Sequence, residues 1–467
     1  MSDDGAAQRR VLAVSLTTVF LTMMSVSSIN VVLPAIQSSI SATDSQLQWV
    51  LAGYALTFGV VLVPAGRAGD VYGRGRLFVG GIAIFGLSSL IAGLASGGIL
   101  LDAARLLMGV GSGMVNPQVI GLIQQFFSGR ARARAFGSFG AAVGLSVSVG
   151  PLMGGAAIWL LGDDLGWRLT FLVNVPVTVL IVGLALAWFP REAFGARRES
   201  RADLDPVGVA LFTVAMLCLM LPFLERGPGP VVFAVVPVGL ALLASWVHWE
   251  QRHAARGGQP MVRISLFRIR SFAFGTALIG LQFTGVTSVH VVLALYLQRG
   301  HGWSALAAAL IGLPAALATG VFSSYAGRRV LEVGRRLVLV GLLVVLASML
   351  ASMLVVWARP YGVHPAWLAA TVALLGVGQG LVVSPNQTLS LLEVAPADSG
   401  AAGGVIQTGQ RVGSAIGAAA ITAVFFVLTP THGWEFAFLA AFGLISATVV
   451  AACATALIDL RAAPKGS

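Results

Sequence analysis

Gly66–Arg76 reads GRAGDVYGRGR, a basic turn with one acid, Asp70, set between two long apolar runs. Glycines at 66, 69, 73 and 75 allow a tight turn between helices, because glycine takes positive φ without penalty. The frame Gly-Arg, five residues, Gly-Arg returns at Gly327–Arg335. Two copies of one turn in matching surroundings point to a duplicated architecture.

The surroundings say which kind. Of 467 residues, 57% are hydrophobic and 10% charged, with a mean hydropathy of +0.89. A soluble domain carries about 25% charge, so most of this chain must face lipid or other spans. The net charge of +11 would suggest nucleic acid in a soluble protein. Here the basic residues fall between apolar runs, so they read as topology signals and no nucleic-acid partner is expected. Cys218 and Cys453 lie inside apolar runs, which argues against a disulfide scaffold or a thiolate metal site. There is no GxxxxGK[ST], no HExxH and no clustered set of metal ligands. The expectation is no enzyme, no cofactor, no metal, and energy from a gradient rather than from ATP. Val11–Leu33 is too long for a signal-peptide core and reads as an uncleaved first span.

A hydrocarbon core about 30 Å thick takes roughly 20 residues of helix. Fourteen such runs can be counted, near 11–33, 47–65, 77–97, 99–123, 135–160, 167–189, 207–224, 229–249, 272–297, 303–326, 336–357, 366–391, 403–428 and 434–458. With the N-terminus inside, inward segments hold 23 Lys and Arg and outward segments hold four: Arg168, Arg226, Arg299 and Arg359. That asymmetry satisfies the positive-inside rule with both termini cytoplasmic. The longest inward segments, Pro190–Pro206 and Glu250–Ser271, bracket two spans. The layout is therefore an all-α integral membrane protein: a six-helix bundle over 1–190, a two-helix insert with its linkers over 191–271, and a second six-helix bundle with a tail over 272–467. Repeated halves of this sort are typical of secondary transporters.

These residues resemble the fourteen-span drug:proton antiporters of the major facilitator superfamily. The basic turn is similar to that group's loop between spans two and three. Arg105-Leu-Leu-Met-Gly109-Val-Gly111 resembles its span-four motif, and Gly150-Pro151-Leu-Met-Gly154-Gly155 its span-five antiporter motif. Trp167-Arg168 with Phe171, Asn174 and Pro176 resembles the start of span six, and Ser399-Gly400 through Arg411-Val-Gly413 the start of span thirteen. The chain departs from the pattern at Ser25, where members often carry an acid, and at Met108, where the span-four motif usually has Gln.

The resemblance implies a cytoplasmic gate of Gly66, Arg67, Asp70, Gly73, Arg74 and Arg411, in which Asp70 faces the N-terminus of span thirteen. A carboxylate there gains about 0.3–1 kcal/mol, more if partly buried. The plain alternative makes these arginines topology anchors only. In span five, Gly150, Pro151, Gly154 and Gly155 form a small-residue stripe that permits close helix approach, and the resemblance marks it as an exporter feature. Asp102 and Arg105, three apart, share a face of span four. With Ser25 lacking a carboxyl group, Asp102 is the nearest acid able to exchange a proton beside Arg105; the competing reading has it capping the span at the headgroups. Thr18, Thr22 and Ser25 share one face of span one, Gln282 and His290 one of span nine, and Gln379 and Asn386 one of span twelve. Polar residues at such depth look inward, toward a cavity or another helix.

The expected function is export of small hydrophobic or amphiphilic compounds, such as drugs and antibiotics, in exchange for protons. The expected protein is a monomer in the cell membrane. A gradient-driven exporter without proton coupling, and a non-transporting receptor or scaffold of the same fold, are the alternatives.

Overall fold

The structure, a computed structural model, describes residues 3–195, 204–224 and 233–461. The linker arginines Arg197, Arg198 and Arg201, the outward Arg226 and the tail Lys465 lie outside the described residues. Among the described residues the chain is helical, with no strand. The first eight helices are α1 Asp3–Ile40, α2 Asp44–Tyr72, α3 Arg74–Gly93, α4 Gly98–Phe126, α5 Gly129–Leu172, α6 Asn174–Trp188, α7 Pro206–Leu224 and α8 Val235–Ala255. Then come α9 Arg270–Leu295, α10 Ala305–Val333, α11 Arg335–Trp357, α12 Leu368–Ser390 and α13 Ser399–Arg461.

Among the described residues, eleven helical stretches are long and apolar enough to cross a membrane. Two of them, Gly129–Trp188 and Pro396–Arg461, run to 60 and 66 residues. Each is interrupted once by a glycine in a conformation other residues avoid, Gly162 (φ 76°) in α5 and Gly433 (φ 85°) in α13. The outward side chains are those of a lipid-facing surface: Trp159 is 83% exposed, Ile99 79% and Val427 70%. No soluble protein tolerates such a density of bare apolar groups.

Local chemistry sets the helix limits. Thr43 caps α2 by accepting from the Gln46 amide at 3.3 Å, while the Gln46 side chain accepts from the Thr43 amide at 2.9 Å. This reciprocal box satisfies two donors that a helix start otherwise leaves open. Gly73 (φ 102°) closes α2 and opens α3, and Gly334 (φ 64°) does the same between α10 and α11. The two copies of the basic turn thus share their backbone device.

The helices pack as two compact units. The first comprises Met1–Ser128, Val149–Ile269 and Val394–Thr408, so the insert and the opening turns of α13 belong to it. Its fully buried side chains include Phe58, Phe78, Phe85, Trp167 and Phe171. The second comprises Gly129–Ser148, Arg270–Glu393 and Gly409–Ser467. Its core gathers Val289, Tyr296, Val345, Phe425, Phe438, Phe442 and Ile445, with the Phe438 and Phe442 rings stacked at 4.0 Å.

Candidate functional site

The basic turn lies in the first unit. The Asp70 side chain is 1% exposed and accepts from the backbone amides of Gly400 at 3.1 Å and Ala401 at 3.0 Å. These are the open donors at the start of α13, where a carboxylate completes the helix and meets its positive end. Arg74 forms an ion pair with Asp70 at 2.8 Å and donates to the Gly121 carbonyl at 2.9 Å, Gln125 at 2.8 Å and Ser399 at 3.0 Å. It also donates to the Pro396 carbonyl. One guanidinium therefore joins α2, α4 and the approach to α13. The helices meet here because they carry no side chains at the contact: a Cβ on Gly66 would run into the Gly400 carbonyl, and one on Gly404 would lie 2.7 Å from the Leu62 carbonyl oxygen. Gly73 is similarly confined by the Phe194 carbonyl. Arg67, 8% exposed, donates to Gln259 at 3.0 Å, and Arg263 pairs with Asp398 at 3.3 Å. Arg411, half-buried, stands twelve positions after the first residue of α13, in the second unit.

In the second unit Arg335 occupies the place that Arg74 has in the first copy of the turn. Leu331 stands where Asp70 would be, so the counter-charge comes from elsewhere: Asp459, near the end of α13, pairs with Arg335 at 2.9 Å and with Arg270 at 3.1 Å. Asn386 serves the same junction, accepting from Arg335 at 2.6 Å and donating to the Gly275 carbonyl at 2.9 Å.

The small-residue stripe of α5 packs against α1. Gly150 lies against α1, where a Cβ would sit 2.7 Å from the Met24 carbonyl oxygen and 2.8 Å from the Ser28 amide nitrogen. Gly154 follows at 3.1 Å from the Ser28 carbonyl oxygen, whereas Gly155 has nothing nearer than 3.9 Å. α5 continues through Pro151. In the second unit, Gly137 packs against Gly327 of α10, with its carbonyl accepting from Ser323 at 3.1 Å.

The charges of α4 do not pair with each other. Arg105 is 1% exposed, donates through Nε to the Val50 carbonyl at 2.9 Å, and lies 4.5 Å from the Tyr54 ring centre and 6.0 Å from that of Phe171. Its Nη1 has no hydrogen-bond partner among the described residues, and neither has Oδ1 of the half-buried Asp102. Spacing put both on one helix face, but the guanidinium swings toward α2 and the ring faces there.

Among the polar stripes, Gln282 donates to Gln379 at 2.7 Å across α9 and α12. His290 is exposed on α9. Thr18 and Thr22 bond back to their own helix, at 2.7 Å to the Val14 carbonyl and 3.0 Å to the Thr18 carbonyl. Ser25, 2% exposed, is reached by Asn174 Nδ2 at 3.5 Å, which also donates to Ser89 at 2.9 Å. Asn174 is thus the hub of a buried polar cluster around Ser25, a role its sequence position alone did not disclose.

This arrangement of unpaired intramembrane charge, glycine-mediated crossings and a capped basic turn is that of a polytopic transporter. Residues 16–418 match the Major Facilitator Superfamily, and the chain belongs to it. It is 34% identical over 431 residues to a probable actinorhodin transporter of Streptomyces coelicolor, covering 89% of this chain and 72% of that one. It is 31% identical to the puromycin resistance protein pur8 of Streptomyces alboniger, covering 96% and 91% of the two. It is also 31% identical to the cephamycin export protein CmcT of Amycolatopsis lactamdurans, covering 88% and 84%. In fold it is similar to the human organic anion transporter MFSD10, with a TM-score of 0.70, 14% identity, and coverage of 98% of this chain and 100% of that one. The protein is a multi-pass membrane transporter of small molecules and not an enzyme.

Proposed function

We propose that this transporter exports small hydrophobic or amphiphilic compounds, antibiotics among them, from the cell by alternating access in exchange for protons. The observation that carries the reading is likeness along 96% of this chain to a protein named for puromycin resistance. Taking the two longest apolar stretches as two spans each, turned at Gly162 and Gly433, and adding α8, gives fourteen spans with both termini cytoplasmic. The protein works as a monomer in the cell membrane, built as bundles over 1–190 and 272–467 with the insert between them in sequence. The Asp70 cap on α13, with Gly66, Arg67, Gly73, Arg74 and Arg411, serves as the cytoplasmic gate. Gly150 and Gly154 set the close α1–α5 contact, and with Pro151 and Gly155 they form the stripe that favours export.

Asp102 and Arg105 are the coupling pair in this scheme. A buried cation without a counter-charge is costly and is retained for function. Ser25, Gln282, Gln379 and His290 are the candidate substrate contacts, whereas the amide of Asn386 is engaged by Arg335 and Gly275. The test is efflux from proteoliposomes under an imposed pH gradient, comparing the native chain with Asp102→Asn. Full gradient-driven efflux in the variant would refute the coupling assignment. A second reading, export down the substrate's own gradient, is favoured by Ser25 and by the absence of an Asp102–Arg105 ion pair; it requires efflux unchanged when the proton gradient is collapsed.

A further inference from the structure

The segment joining the insert to α9, with the end of α8, lines an open cavity of about 770 Å³ in the first unit. Its walls include Gln259, Arg263, Ile264, Phe267 and Arg268, and Glu250 of α8 also lines it. Glu250 begins the inward segment assigned from the sequence. Two features set this cavity apart from a generic basic surface. First, its arginines share walls with apolar groups: Phe267 is 41% exposed beside them, and the apolar helix α9 begins at Arg270. Second, the only carboxylate lining it is fully buried beside a second acid, Asp205 at the start of α7, and a Cβ on Gly208 would lie 2.8 Å from Glu250 Oε1.

We propose that this cavity binds the phosphate headgroup of an anionic phospholipid, with Arg263 and Arg268 holding the phosphate and Phe267 and Ile264 lying along the first part of the acyl chains. Clusters of arginine at the cytoplasmic end of a membrane helix attract such lipids, and the adjoining apolar wall selects an amphiphile over a free ion. Burial, and then the neighbouring Asp205 carboxylate, push the Glu250 carboxyl up to about 8, so it carries a proton at neutral pH and does not repel a phosphate. The other charged or titratable groups around it are Asp205, His253 farther along α8, and the two arginines. The site also touches the gate: Gln259 accepts from Arg67, and Arg263 pairs with Asp398 just before α13.

The experiment uses the full chain in nanodiscs of phosphatidylcholine doped with phosphatidylglycerol, then native mass spectrometry to count retained lipids. The native chain is expected to keep one phosphatidylglycerol in preference to phosphatidylcholine. Arg263→Gln with Arg268→Gln is expected to weaken retention roughly 30-fold, at about fivefold per arginine. Arg252→Gln with Arg256→Gln changes the same charge in the same segment, on residues outside the cavity lining, and should leave retention intact. Equal loss in both double variants would overturn the site, leaving only nonspecific surface attraction. Displacement of the lipid by millimolar inorganic phosphate would overturn the lipid reading in favour of a free-anion site. A folded native chain that retains no phosphatidylglycerol would overturn both.

Discussion

Replacing Asp70 by Asn removes a charge from a site with a side-chain exposure of 1%. Two backbone amides of α13, at 3.1 and 3.0 Å, lose a charged acceptor, and Arg74 loses its ion-pair partner at 2.8 Å. Breaking a buried pair from one side costs about 3–5 kcal/mol. Arg74 keeps the Gly121 carbonyl, Gln125 and Ser399, and Asn retains one acceptor oxygen, so the low end, about 3 kcal/mol, applies. At 1.4 kcal/mol per tenfold this corresponds to roughly a hundredfold greater opening of the α2–α13 contact. Hydrogen exchange of the peptide spanning residues 396–408, followed by mass spectrometry, reads that opening directly. The variant should exchange this peptide roughly a hundredfold faster, with peptides of α11 unchanged. Exchange within threefold of the native chain, in a protein that still melts cooperatively, would show that the carboxylate does not hold α13.

The glycines of α5 separate tight from loose contacts. Gly150→Ala should destabilise by about 1–3 kcal/mol through overpacking against the α1 backbone, while Gly155→Ala should be neutral or stabilising by up to about 1 kcal/mol from helix propensity; thermal melts in detergent rank the two. Arg105→Met should leave the melting temperature nearly unchanged, because exchanging an uncompensated buried charge for an apolar chain of similar volume is often neutral. The same variant should abolish pH-driven efflux, so a folded variant that keeps gradient-driven efflux would refute the assignment. In the second unit His301 contacts Arg359 and lies 3.8 Å from Glu435. Burial, and then Arg359, hold its imidazole below the ordinary 6.5. The unfolded chain therefore binds the proton first, and this contribution to stability, complete above 6.5, is lost as pH falls through and below that value. A comparison of melts at pH 7.5 and 5.5 should show a larger loss for the native chain than for His301→Gln.

Much of the architecture was legible because lipid enforces simple rules of length and charge. The basic turn and its repeat could be read along the chain, and the meeting of Asp70 with the start of α13 was what the family resemblance implied. The partners of Arg74 could not, since Gly121, Gln125 and Ser399 are 47, 51 and 325 positions away. The second copy shows the limit of reading by repeat: Gly334 reproduces the backbone turn, but the acid facing Arg335 comes from Asp459 at the far end of α13. The i, i+3 spacing of Asp102 and Arg105 set a shared face without setting side-chain direction, and Arg105 chose the Val50 carbonyl and the Tyr54 ring. The Asp205–Glu250 neighbourhood was invisible because it joins the two ends of the insert, 45 positions apart, and no periodicity links them.

Proton-coupled export of amphiphilic compounds is tested most directly in inside-out vesicles containing the purified chain. An inward-acid pH gradient is imposed and uptake of a fluorescent amphiphile such as a cationic or neutral dye, or of puromycin, is followed. Accumulation that appears with the gradient, collapses on adding a protonophore and is absent from protein-free vesicles is the predicted result. Uptake that proceeds unchanged after the gradient is dissipated, or no uptake of any amphiphile tested by a folded chain, would contradict it.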